Sequence, residues 1–555
     1  MFHIKERYYL NNIIYKRVNW SQDVAIESRN IRAIGETRMT EFYGGWLLPL
    51  IYATGFILVS LRYREYWQVA RMTATVGLLA TTGMALLALL WAQLAPLRVD
   101  ALGLTVALLV ALLGWVIINY SSRYLNGEPN QVRFIRAMVF TLAAVSVLVI
   151  SRNLLVILLA WTGTSVGLHY LLTFYNERKA AQVVAHKKFL VSRFAEVCLV
   201  IALLLVYQSA GTLSLDGLNE YLSTVASIPA SLQWAALLFA LAAILKTAQL
   251  PLHGWLIQVM EAPTPVSALL HAGVVNMGGF ILIRLAELVS LAPAAQWVLV
   301  VVGSLTAVLA GLVMLTRISI KVRLAWSTCA QMGFMLMEIG LGLYELALLH
   351  LVAHSLYKAH AFLSAGETVR TARSNDFLAP GRSTRAPLWY VGALGLSAAL
   401  VTASAAVWQL VLPSMAVPPV ALLIVALGLA SLLWMEQQST RELLIRGVVQ
   451  ILALTQLYLL WHVLFAGLAP APAEVASPLV AWVVLSFVAL YGIQVWLRCY
   501  PKGRFARAFY PWAYCGFYLD ETYTRLTFKI WPVKLSPTQA QTLAIRENAL
   551  QGDLL

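Results

Sequence analysis

Cysteine is scarce: the 555 residues hold four, with Cys198 and Cys329 inside apolar runs and Cys499 and Cys515 far apart near the end. Without a C-x-x-C pair, this spacing excludes a disulfide framework and argues against an iron–sulfur or structural zinc site. A Walker-type loop and G-x-G-x-x-G are also missing, so nothing in the chain points to nucleotide binding. With no cofactor ligand set, no cofactor is expected in this chain, and the chain is not expected to be an enzyme. Energy coupling has to come from an ion gradient, a redox partner or another subunit. Charge is sparse at 12% of residues, and acids are the rarer sign, with 25 Asp and Glu against 40 Lys and Arg. Polar stretches long enough for a soluble core are lacking too, since even the longest link, residues 367–386, is too short to bury one.

Apolar length is what the chain has in excess. Hydrophobic residues make up 60% of it and the mean hydropathy is +0.75, values that belong to a bilayer protein. Apolar runs of about 20 residues recur from Gly45 to Leu497, the length an α-helix needs to cross the hydrocarbon core. Lipid cannot satisfy backbone polar groups, so these runs are expected to be helices. The expected fold is an all-α polytopic membrane protein with about 14–16 spans. A basic segment 1–44 precedes the transmembrane domain 45–497, and a cytoplasmic or interfacial tail 498–555 follows it.

The net charge of +15 invites a nucleic-acid reading, but the placement of the charges opposes it. Links after the first, third, fifth, ninth, eleventh and thirteenth spans carry residues such as Arg62, Arg64, Arg123, Lys187, Lys188, Arg317, Arg373 and Arg441. Intervening links have little beyond Arg98, Arg152 and Arg284, and several are acidic, with Asp216, Glu220, Glu345 and Glu474. This is the positive-inside pattern, which sets the odd links and the C-terminus in the cytoplasm and argues against a nucleic-acid partner. By length about 15 runs are candidate spans, and that odd number puts the N-terminus outside, against the basic character of residues 1–38. A missed or re-entrant span, a tolerated basic tail, or translation starting at Met39 would reconcile the two; Met39 is the expectation.

A few ionisable residues interrupt the apolar runs. Lys246 lies in LLFALAAILKTAQLPL, five residues before Pro251. A lipid-facing lysine at mid-membrane depth costs roughly 2.5–3.5 kcal/mol, so such a group normally faces protein or a wet cavity, with snorkelling from a helix end as the alternative. Pro251 breaks the helix, and Pro263 and Pro265 restrict the approach to the next run, which carries His271. His350, His354 and Lys358, at i, i+4 and i+8, share one helical stripe. Imidazoles a turn apart can pass a proton to an amine; a structural hydrogen-bonded pair and, less well matched, a metal site are the rivals. Glu196 follows Arg193 by three residues, a spacing for a local ion pair as well as for a role beside Lys246.

These residues sit in blocks, KTAQLPLHGWL with EAPTPVSALLHA, IKVRLAWSTCAQMGF and HLVAHSLYKAHAFLSAG, that resemble the proton-conducting antiporter subunits of respiratory complex I, Mrp-type cation/proton antiporters and membrane hydrogenases. The resemblance covers residues 106–369. It implies two inverted five-helix repeats, each with one interrupted helix. It makes Lys246 the central lysine of a first half-channel, with His271 as relay and Glu196 beside it, and gives His350, His354 and Lys358 to a second half-channel with Lys321 near its cytoplasmic side. The family usually has a glutamate where this chain has Thr162, and His169, seven residues on, is the expected substitute. The second interrupted helix, expected over 388–412, lacks its usual charge.

These departures and the tail GFYLDETYTRLTFKIWP resemble one branch, the membrane subunit of the energy-coupled inorganic-carbon uptake complex of autotrophic bacteria. That resemblance implies H+ or Na+ flow through this chain, driving carbon dioxide hydration to bicarbonate by a large cytoplasmic zinc-containing partner related to β-type carbonic anhydrases. A proton-pumping subunit of an NADH–quinone oxidoreductase and a cation/proton antiporter subunit are the alternatives.

Overall fold

In the computed structural model, described residues are 45–61, 65–91, 100–366 except 176 and 226, 386–434 except 414 and 416, 439–470 and 475–531. The basic segment 1–44 with Met39, and Arg62, Arg64, Arg98, Arg373 and Glu474, lie outside them. Helices follow one another as α1 (Leu47–Leu61), α2 (Tyr66–Trp91), α3 (Ala101–Tyr124), α4 (Gln131–Ile150), α5 (Leu154–Leu172), α6 (Lys179–Ala210), α7 (Leu215–Thr224), α8 (Ala230–Lys246), α9 (Gly254–Gln258), α10 (Thr264–Ala272), α11 (Met277–Arg284) and α12 (Ala286–Ser290). Then come α13 (Pro293–Met314), α14 (Ile320–Gly340), α15 (Tyr344–Leu363), α16 (Pro387–Val411), α17 (Pro419–Ala430), α18 (Thr440–Phe465), α19 (Ser477–Cys499), α20 (Arg504–Tyr514) and α21 (Leu519–Ile530).

Among the described residues, 10 helices are long and apolar enough to cross a membrane, and α1, α8 and the stretch Pro419–Trp434 are shorter apolar helices. With α14 and α15 these are 15 helical segments, within the expected count of about 14–16. Residues 131–284 hold five crossings and residues 293–434 five more. A repeat with an odd number of crossings ends on the side opposite its start, so the second copy is inverted.

Helix packing relies on small residues, as expected where lipid supplies no hydrophobic drive between helices. Gly303 of α13 and Gly333 of α14 meet backbone to backbone, so that a Cβ on Gly333 would stand 2.6 Å from the Gly303 carbonyl oxygen. Caps close the helix ends: the Asn153 side chain accepts from the Leu155 amide at 2.9 Å. Arg284 reaches Asp100 and the Val149 carbonyl, both at 2.5 Å, tying three spans together at one end.

Of the two helix breaks expected from the sequence one is present, after Lys246, and another falls where none was expected. After Lys246 the helix stops; Ala248 adopts a left-handed φ of 55°, a strained conformation for a residue with a Cβ. The backbone groups freed there find partners on neighbouring helices, with the Leu250 amide donating to Thr306 Oγ1 at 3.3 Å and the Cys329 thiol to the Ala248 carbonyl at 3.2 Å. The next span breaks too, between α10 and α11, at a 3-10 turn over Val274–Asn276. The interruption expected over 388–412 is not there: α16 is one continuous helix, because no proline falls between Pro387 and Pro413.

Candidate ion path through the membrane

Lys246 ends α8, where the helix carbonyls present partial negative charge to a cation. Its side chain is 5% exposed, so it does not snorkel. Nζ donates to Glu196 Oε1 at 3.3 Å, Ser165 Oγ at 3.2 Å and the Trp161 carbonyl at 3.4 Å, and it lies 4.7 Å from the centre of the Trp161 ring. Glu196 also accepts from Arg193 Nη2 at 2.8 Å. The local ion pair and the partnership with Lys246 therefore coexist on one carboxylate. Thr162 takes no part among Lys246's hydrogen bonds, and neither does His169, so Glu196 supplies the counter-charge expected at position 162. His169 packs its ring against Phe189, one turn beyond Ser165.

Beyond the break, His271 is fully buried on α10 with its ring stacked on Phe362 at 4.5 Å. Neither of its ring nitrogens meets a protein partner. On α15, Lys358 donates to Ser327 Oγ at 2.7 Å and to the Leu324 carbonyl at 3.2 Å. His354 is buried with both ring nitrogens unpartnered, and the rings of His350 and His354 lie 6.0 Å apart. His350 Nδ1 meets Glu338 Oε2 at 2.9 Å. Among the described residues, no group of three His, Cys, Asp or Glu is placed to hold a metal ion. Lys321, half-buried at the start of α14, donates to Thr264 Oγ1 at 2.7 Å, at the mouth of the second broken span.

Three residues of the same chemistry escaped the sequence reading. Glu338 is a single carboxylate in the apolar run MGFMLMEIG, the signal that had exposed Lys246. Lys187 and Lys188 were expected as cytoplasmic link charges, but both belong to α6 and are 0% and 4% exposed. Counting charges by link cannot tell a buried lysine near a helix end from a solvated one. Lys188 Nζ donates to the Ser165 carbonyl at 2.9 Å. Lys187 Nζ pairs with Asp520 Oδ2 at 2.7 Å and reaches Gln258 Oε1 at 3.1 Å.

Asp520 opens α21, so the tail docks on α6 through Lys187 and on Gln258 of α9. The carboxylate fills the space beside Gly254, where any Cβ would collide with it. Tyr523 donates from its hydroxyl to the Lys187 carbonyl at 2.6 Å, and Trp531 stacks on His186 at 4.0 Å. Arg317, after α13, lies over Tyr514 of α20 at 5.2 Å. The tail thus touches both repeats from one side.

Residues 151–427 match the family model described as NADH:quinone oxidoreductase/Mrp antiporter, TM, and residues 94–135 match NADH-Ubiquinone oxidoreductase (complex I), chain 5 N-terminus. A protein of Hydrogenovibrio crunogenus named "Probable inorganic carbon transporter subunit DabB" is 38% identical over 509 residues, 88% of this chain and 94% of that protein. The chain belongs to the DabB branch of this antiporter-like membrane family. The Halothiobacillus neapolitanus protein named "Probable inorganic carbon transporter subunit DabB2" is 39% identical over 83% of this chain and 84% of its own. The Mrp complex from Dietzia sp. DQ12-45-1b has a chain that matches with a TM-score of 0.52 at 23% identity, over 91% of this chain and 60% of that one. That likeness concerns the fold, an antiporter-like bundle of broken and unbroken membrane helices.

Proposed function

We propose that the chain is the proton-conducting membrane subunit of an energy-coupled inorganic-carbon pump in a bacterial inner membrane, with its C-terminal helices on the cytoplasmic face. The observation that carries this reading is the succession of buried nitrogen bases Lys246, His271, Lys358 and His354, with the half-buried His350 after them, on two broken spans and the helix beside them. Four ring nitrogens of His271 and His354 have no protein partner. A buried polar atom left unsatisfied costs about 1–3 kcal/mol, so these nitrogens are kept for protons or water. Intramembrane ionisable residues facing the protein interior mark ion paths by default.

Protons fit better than sodium. A sodium site in a broken-helix transporter is built from oxygens, chiefly unwound carbonyls, whereas here the side chains are amines and imidazoles. The two carboxylates, Glu196 and Glu338, are already engaged by Arg193 with Lys246 and by His350. In this reading the chain holds no catalytic site and no cofactor. A large cytoplasmic zinc-containing subunit related to β-type carbonic anhydrases hydrates carbon dioxide, and proton flow supplies the drive. The carbon role is supported by the names of the two DabB relatives.

The test is growth of a carbonic-anhydrase-deficient host at ambient carbon dioxide, with the chain co-expressed with the soluble protein of its neighbouring reading frame. Lys246→Ala abolishes growth support with the protein level intact, and a protonophore stops carbon uptake while sodium replacement does not. Undiminished growth with Lys246→Ala refutes the path.

A further inference from the structure

We propose that Lys188 is a second proton-carrying lysine of the first half-path, linking Lys246 to His169 on the side where the C-terminal helices dock. The inference rests on the proton-path reading and deepens it. Two stripes face each other between consecutive antiparallel spans. On α5, Trp161, Ser165 and His169 are spaced by four residues, and on α6 Lys188, Ser192 and Glu196 are spaced likewise, so each trio lines one helix face. Lys246 reaches across to the Trp161, Ser165 and Glu196 end. Lys188 meets the same Ser165 from the other end, at its carbonyl.

Ser165 is therefore shared by two buried amines. The groups around Lys188 are Lys246 of α8, Glu196 and Arg193 of its own helix, and His169 of α5. That gives Lys188, Lys246 and Arg193 a single carboxylate to share. Arginine keeps its proton under all ordinary conditions, so the cluster carries least repulsion when one proton is divided between the two lysines. An arrangement with one proton for two amines is a transfer site. His169 continues it, with Nδ1 buried and unpartnered. Its far neighbour His186 lies under Trp531 of the tail. In one step the Lys246 ammonium gives its proton to the neutral Lys188 amine and becomes an amine itself. In the next the Lys188 ammonium so formed gives that proton to the neutral His169 imidazole, and the path behind Lys246 returns a proton to it. No other reactant is needed.

A lysine that only caps the Ser165 carbonyl would behave differently, and two substitutions separate the roles. Lys188→Gln keeps a donor for the carbonyl without a charge, and Lys188→Arg keeps donor and charge but cannot release a proton. In the co-expressed complex, both lower carbon uptake by about tenfold or more, the least expected when a positioned acid–base group is lost. Lys188→His, with an ordinary imidazole near pH 6.5, keeps part of the uptake with a pH profile displaced to the acid side. Thermal melting and complex yield matching the parent verify the fold of each variant. Uptake within twofold of the parent in a folded Lys188→Gln or Lys188→Arg overturns the proposal. Lys246→Met, made in parallel, separates the levels: uptake surviving in it refutes the path itself, whereas its loss beside an active Lys188→Gln sinks only the role of Lys188.

Discussion

Replacing Glu196 with glutamine removes one charge and almost no volume from the first cluster. In the parent, Glu196 Oε1 lies 3.3 Å from Lys246 Nζ and 2.8 Å from Arg193 Nη2. At an effective dielectric of about 20, the attraction to the Lys246 ammonium alone is roughly 5 kcal/mol. Arg193, 37% exposed, can turn to water. Lys246, 5% exposed, cannot. The charged form of Lys246 thus loses most of its support, and only the weaker contacts to Ser165 and Trp161 remain. The expected result is loss of carbon uptake comparable to Lys246→Ala, with the carboxylate-preserving Glu196→Asp keeping a measurable part. The assay is uptake of labelled inorganic carbon by cells matched for protein level, across external pH 6 to 8, both values chosen as about one unit either side of neutrality. A double replacement, Glu196→Gln with Lys246→Met, should be no worse than either single change, because both remove the same interaction. Uptake within twofold of the parent in Glu196→Gln refutes the assignment of Glu196 as the counter-charge.

Other outcomes follow from the packing. Asp520→Asn leaves Lys187 fully buried without its carboxylate; since Asp520 is 23% exposed, the expected loss is about 1–3 kcal/mol, below the 3–5 of a fully buried pair. Release of α21 would appear as faster tryptic cleavage at Arg525 and Lys529, and an unchanged digestion rate counts against the docking. Gly333→Ala forces α13 and α14 apart, because the new Cβ meets backbone rather than a yielding side chain. Such overpacking costs about 1–3 kcal/mol and should lower the melting temperature in detergent, which an unaltered melting curve would contradict.

Much of this was written in the sequence. Apolar runs near 20 residues and the lack of any polar stretch that could hold a core leave only a helical bundle in lipid. Pro251, five residues after Lys246, placed the first break, because a missing amide and a ring clash act locally. Lys246, His271, Glu196, His350, His354 and Lys358 were legible as solitary ionisable groups in apolar surroundings, where a group is either functional or paired. The second break expected over 388–412 was carried by resemblance rather than by a proline, and α16 runs through it unbroken.

What the chain could not announce is which charges meet. Glu196 and Lys246 are 50 residues apart, Lys187 and Asp520 are 333 apart, and local periodicity says nothing about pairs at such separations. Lys188 looked like one more basic link residue until α6 was seen to carry it inward. Composition settles that the backbone must satisfy itself in lipid, since that demand acts on every segment separately. The partner of each buried charge is fixed only when helices pack, because electrostatic attraction in a low-dielectric interior depends on distances that the fold alone creates.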